Sequence, residues 1–127
     1  MPTKNVSSPR APKPIGPYSQ GVVSGGLLFS SGQIALDPVS GELVGGGIAV
    51  QTERVLENLA AVLGSAGLTF ADVVRTGIYL VDLGDFTVVN EIYSRYVSAP
   101  YPARATVGVA ALPKGALIEI DAIAHAD

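Results

Sequence analysis

The chain has 127 residues, 48% hydrophobic and only 15% charged, with a formal charge of -3 and no cysteine. The length fits one domain over residues 1–127. The missing cysteine excludes disulfides, thiolate nucleophiles and Cys-held metals, and eight Lys and Arg spread along an acidic chain argue against a nucleic-acid partner. So few charges on so small a domain leave apolar surface for self-association to cover.

Residues 1–17 hold five prolines and read as an extended N-terminal arm. Strands are expected near Ser19–Val23 and Leu27–Ser31, joined by a tight turn at Gly25-Gly26. A loop at Asp37–Gly41 and a short third strand near Glu42–Val44 come next. The spacing of Val55, Leu56, Leu59, Val62, Leu63 and Ala66 predicts a helix over Ile48–Ala66, closed by Gly67. Asp72–Val81 reads as a strand buried on both faces. Asp82 is placed to cap a second helix, with Asp85 near its start and a stripe of Phe86, Val89, Tyr93, Tyr96 and Val97. Pro100 and Pro102 stop it, and two further strands are expected over Arg104–Ala110 and Ala116–Ala124.

This order implies an α+β fold, one mixed sheet with both helices on one face. Along the last strand, Ala116, Ile118, Ile120, Ala122 and Ala124 form an apolar row opposed by Leu117, Glu119, Asp121 and Ile123. Before it, Ala105, Val107 and Val109 oppose Arg104, Thr106, Gly108 and Ala110. The apolar rows are expected under the helices. The mixed rows suit a face buried against another subunit, with a polar site in it.

Little familiar chemistry fits. The single histidine, His125, reads as a solvated tail residue, which disfavours a Ser-His-Asp triad or a His-based metal site. Gly45-Gly46-Gly47 lacks the remaining dinucleotide fingerprint and reads as a loop entering a helix. No metal or other cofactor is expected. No signal peptide or membrane span is visible, so a cytoplasmic protein is expected. Arg104 is either a structural charge paired with Glu119 or a planar fork for a substrate carboxylate. Glu119 has the matching choice between ion pair and acid/base or water-orienting group. Tyr18 is either packing or a phenol donor in a cleft.

Five runs in order resemble the RidA (YjgF-type) family over about residues 14–124. They are Pro14–Gln20, Ser30–Ile34, Asp82–Phe86 with Val89-Asn90, Pro102–Thr106, and Leu112–Gly115 leading to Ile118–Ala122. The resemblance implies a chorismate-mutase-like fold, a homotrimer around a central barrel, and a site in each cleft between neighbours. It also implies hydrolysis of reactive enamines and 2-imino acids, such as 2-aminoacrylate and 2-iminobutyrate, to 2-oxo acids and ammonia. In that scheme Arg104 binds the carboxylate, and Glu119 orients water and moves protons. Tyr18, Ser31, Gly32, Asn90 and Thr106 line the pocket. Thr106 stands where many members carry cysteine, and the 45–47 glycine run is less typical. Three other readings are a pathway-specific deaminase resembling 2-aminomuconate deaminase, a non-catalytic trimer that binds small carboxylates or partners, and a ribonuclease or translation inhibitor. The acidic balance weighs against the last.

Overall fold

Six strands make one mixed sheet in the computed structural model, which describes residues 3–127. They are β1 (Lys4–Val6), β2 (Gly21–Ser24), β3 (Leu27–Ser30), β4 (Val73–Leu80), β5 (Ala103–Gly108) and β6 (Ile118–His125). Their order is β1-β2-β3-β6-β4-β5, with β4 and β5 parallel and all other neighbours antiparallel. Two helices, α1 (Gly47–Ser65) and α2 (Phe86–Tyr93), complete the α+β architecture.

Alternation along β6 decides which face the helices cover. Ile118, Ile120, Ala122 and Ala124 are all buried, and Ile118 and Ile120 pack with Ile78 and Leu80 of β4. The same cluster takes Val55, Leu56 and Leu59 from α1 and Val89, Ile92 and Tyr93 from α2. Both helices therefore sit on one side of the sheet. Ile92 joins the expected α2 stripe, while Phe86 and Tyr96 are only partly buried.

Local signals behave as their chemistry requires. Ser24 pairs with Leu27 across Gly25 (φ 60°) and Gly26 (φ 79°), two left-handed positions that suit the twist of a hairpin. At the end of α1, Gly67 has φ 76° and the Leu68 N–H donates to the Leu63 carbonyl at 2.9 Å, which satisfies the last turn.

Four expectations need correction. The N-terminal arm is extended but also adds a strand that was not expected, because Lys4–Val6 pairs with β2. Beyond that strand, buried Gln20 fastens the Ser8–Pro12 segment by accepting from Ser8 N–H (2.6 Å) and donating to Pro12 O (3.0 Å). Of the arm, Met1 and Pro2 lie outside the described residues. The strand expected at Glu42–Val44 is a single bridge, Leu36 to Leu43, because Asp37–Gly41 turns too tightly for a longer ladder. Asp82 caps a 3-10 turn, Leu83–Asp85, by accepting from Gly84 N–H at 2.8 Å; α2 starts directly after it.

The fourth correction matters most. Ala105 and Val107 do not lie under the helices; Ala105 is exposed and Val107 is 44% exposed. β5 takes its parity from β4, where Arg104 pairs with Thr76 and Thr106 with Ile78. Thr76 and Ile78 are fully buried on the helix side, so Arg104 and Thr106 point there too.

Candidate active site

Arg104 stands at the sheet edge with its guanidinium over two rings of α2. Its Cζ lies 5.3 Å from the Phe86 centroid and 5.1 Å from that of Tyr93. One nitrogen, Nη1, donates to Asn90 Oδ1 at 2.7 Å. Three residues one helical turn apart thus brace the cation, since positions 86, 90 and 93 share a face of α2. Among the described residues no carboxylate lies within ion-pair distance of it. The guanidinium opens onto a cavity of about 470 Å³ with Val97, Tyr101 and Pro102 on its walls. It is held in place with donors to spare.

Glu119 belongs to a different cavity of about 420 Å³, walled by Ile15, Tyr18, Ile34 and Leu36, with Lys114 at its rim. The loop after β3 returns beside β6, where Gln33 N–H donates to Ile120 O (2.8 Å) and Ile120 N–H to Gln33 O (3.1 Å). That exchange lays Gly32 against the Glu119 carboxyl: a Cβ at Gly32 would stand 2.7 Å from Glu119 Cδ. Burial, and after it the nearby Asp121 charge, raises the Glu119 pKa above the usual carboxylate range. Tyr18 is half exposed at the cavity wall.

These two sets do not meet within one chain. Glu119 pairs with Tyr79 on β4, one residue out of phase with the buried Ile78, so it faces away from the helices. Arg104 faces toward them. Of the two readings of Arg104, the ion pair with Glu119 is therefore excluded within one chain by sheet parity. Asn90 stands with Arg104, while Tyr18, Ser31 and Gly32 stand with Glu119. Thr106 shares the helix side with Arg104, and its buried Oγ1 has no hydrogen-bond partner among the described residues. Ser31 donates its hydroxyl to Ser19 O (2.5 Å) and its N–H to Gln20 O (2.8 Å), tying down the segment that carries Tyr18.

Some of the site was missed by pattern reading. Phe86 and Tyr93 read as core stripe yet form the platform for Arg104. Tyr101, 69% exposed beside Pro102, gave no periodic signal. Lys114 enters through a left-handed turn (φ 58°) within Pro113–Gly115. A groove of about 580 Å³ lies elsewhere, between Ser7–Arg10 and α1. Its Arg54 and Glu57 already bond Asn58 and Tyr96, and it contains no candidate residue. Among the described residues no cluster of His, Asp and Glu is arranged to hold a metal, and no helix is long and apolar enough to cross a membrane.

The family model described as Endoribonuclease L-PSP matches residues 8–126. A human protein named 2-iminobutanoate/2-iminopropanoate deaminase is 49% identical over 94% of this chain and 87% of its own. The chain belongs to the RidA family. Another relative, Protein DfrA of Myxococcus xanthus, is 56% identical over 98% of this chain and 96% of its own. Among solved structures, E. coli TdcF with bound serine superimposes with a TM-score of 0.91 at 39% identity, covering 98% of this chain and 99% of that one. All five sequence runs lie within the matched residues 8–126, and two of them carry Arg104 and Glu119.

Proposed function

We propose that this RidA-family chain hydrolyses reactive 2-imino and enamine acids, such as 2-iminobutyrate and 2-aminoacrylate, to 2-oxo acids and ammonia. One observation carries the reading: Arg104 is braced by Asn90, Phe86 and Tyr93, has no carboxylate partner among the described residues, and faces an open cavity. A guanidinium so placed offers two parallel donors to a planar carboxylate. The human relative's name points to the same substrates, and the TdcF structure holds serine, a small molecule with a carboxylate.

Sheet parity puts Arg104 and Glu119 on opposite faces, so the reading requires a site shared between copies. Arg104, Asn90 and Thr106 come from one chain, and Tyr18, Ser31, Gly32 and Glu119 from its neighbour, in a homotrimer around a central barrel. Exposed Phe29 and Val107, with half-buried Ile123, give the open sheet face an apolar surface for such a neighbour. In the cleft, Arg104 fixes the carboxylate and Glu119 orients a water toward the imine carbon. An enamine first shifts a proton from nitrogen to its terminal carbon and becomes the imine. As the water oxygen bonds to carbon, the C=N pair moves to nitrogen, and the proton the water loses passes through Glu119 to that nitrogen. The hydroxyl of the resulting carbinolamine then gives its proton, again through Glu119, to the amino group, so that C=O re-forms as ammonia leaves.

The test is faster release of 2-oxobutyrate from 2-iminobutyrate generated in situ. Absence of any acceleration, with small carboxylates still bound, would leave a binding protein and overturn the catalytic reading.

A further inference from the structure

The sheet face turned away from the helices carries, beside Glu119, a polar arrangement that the reaction above does not use. Glu119 and Asp121 project from it two positions apart on β6, about 7 Å along the strand. Across from them on β4 stand Tyr79, paired with Glu119, and Gly77, paired with Asp121. Asp121 is pinned from both sides: Oδ1 accepts from Gly77 N–H at 3.1 Å and Oδ2 from the Tyr79 hydroxyl at 3.0 Å. A Cβ at Gly77 would stand 2.6 Å from Asp121 Oδ1 and 2.8 Å from the Tyr79 oxygen, so a side chain there would push both groups out of this arrangement.

Both donors are neutral, so they aim the Asp121 charge without cancelling it. Among the described residues no cation lies within ion-pair distance of Asp121. The other charged or titratable groups near Glu119 are few. Arg75 on β4 turns Nη1 to the Thr76 carbonyl (3.4 Å), Lys114 rims the Glu119 cavity, and Tyr18 faces it from the N-terminal segment. From β5 this face receives only Ala103, Ala105 and Val107.

We propose that Asp121, held by Gly77 and Tyr79, is a positioning residue that acts through Glu119 and keeps it able to give a proton as well as take one. The inference rests on the reading of Glu119 as the proton carrier. Burial is the larger cause of the raised Glu119 pKa, and the fixed Asp121 charge beside it adds to the same shift toward the protonated form. Tyr79 is pushed the same way, first by its hydrogen bond to Asp121, and so stays a neutral donor. Imine hydrolysis uses both forms of Glu119. The nitrogen needs a proton as water adds, and the new hydroxyl must lose one as ammonia leaves. A carboxyl whose proton affinity is raised is better able to donate than one of ordinary affinity.

The experiment reads Glu119 directly, by carboxyl carbon NMR titration of wild type, Asp121→Asn and Tyr79→Phe, beside pH profiles for 2-iminobutyrate hydrolysis. In Asp121→Asn the Glu119 midpoint should fall, and the acid limb of kcat/KM should move to lower pH with it. In Tyr79→Phe, which keeps the charge, the midpoint should stay at or above wild type. An unchanged midpoint in Asp121→Asn, a fall in Tyr79→Phe, or an acid limb that stays put while the midpoint falls overturns the proposal. No turnover in the wild-type protein would sink the catalytic reading instead, while the two midpoints still decide whether Asp121 governs Glu119.

Discussion

A guanidinium braced by one hydrogen bond and two ring faces can lose its function without the fold losing much. If Arg104 holds the substrate carboxylate, Arg104→Ala should lower kcat/KM by about 30-fold to several-thousand-fold, the equivalent of about 2–5 kcal/mol. Arg104→Lys should recover little, because an ammonium has neither the planar fork nor the stacking surface. Melting temperatures of both variants should stay near wild type, since among the described residues Arg104 has no ion pair to break. Near-normal turnover in Arg104→Ala would remove it from the site. Glu119 carries a separate, pH-dependent signature. Its folded-state pKa is raised, so between the ordinary carboxylate value and that raised value the folded protein binds more protons than the unfolded chain. Stability from this group is therefore present at low pH and lost as pH rises through the raised value. Glu119→Gln should melt above wild type at pH 8, with the gap closing toward pH 4. A gap that does not change with pH would rule out ionisation as its cause.

At the level of elements, what was legible depended on whether a residue's face could be read from its own strand. β6 alternates cleanly, so its buried row and the facing of Glu119 could be read from sequence alone. β5 is different. Its residues are small or mixed, so either row looked apolar enough, and only pairing with β4 decides the matter. That ambiguity reversed the expected face and allowed an Arg104–Glu119 pair that parity forbids. The Gly25-Gly26 hairpin and the Gly67 stop were readable because left-handed backbone has few tenants. The Lys4–Val6 strand was not, since prolines around it dominated the local signal. Thr106 tests the revised parity. Its Oγ1 is buried without a partner, so the hydroxyl is desolvated with nothing to offset the cost in the free chain. Thr106→Val should be as stable as wild type or more so by about 1 kcal/mol, with turnover near normal, as denaturant melts and assays would report. A large loss of turnover would mean that the hydroxyl swings to the ligand. Gln20 gives the opposite case, as it satisfies the backbone of the N-terminal segment from inside. Gln20→Ala should cost about 1–3 kcal/mol in the same melts, because buried N–H and C=O groups lose their partner.

For the whole molecule, the separation of Arg104 from Glu119 becomes a test of assembly as much as of chemistry. If each site takes Arg104 from one copy and Glu119 from the next, neither residue can be rescued within its own chain, but it can be across chains. Arg104→Ala and Glu119→Gln proteins should each lose most of their activity alone and should each sediment as trimers. Mixed one to one, unfolded together and refolded, they should recover activity. In a randomly mixed trimer a working site needs an Arg104-bearing chain on one side and a Glu119-bearing chain on the other. About one quarter of the sites meet that condition. Recovery near that fraction of wild-type turnover, absent when the separately folded proteins are mixed and assayed at once, would place the two residues in one shared cleft. The exposed apolar residues of the open sheet face supply the reason for the copies to associate, and light scattering of the wild type should give three times the 13.0 kDa chain mass. Monomers in scattering, or no recovery from co-refolded chains that do form mixed trimers, would separate Arg104 from Glu119 in function as parity separates them in the fold.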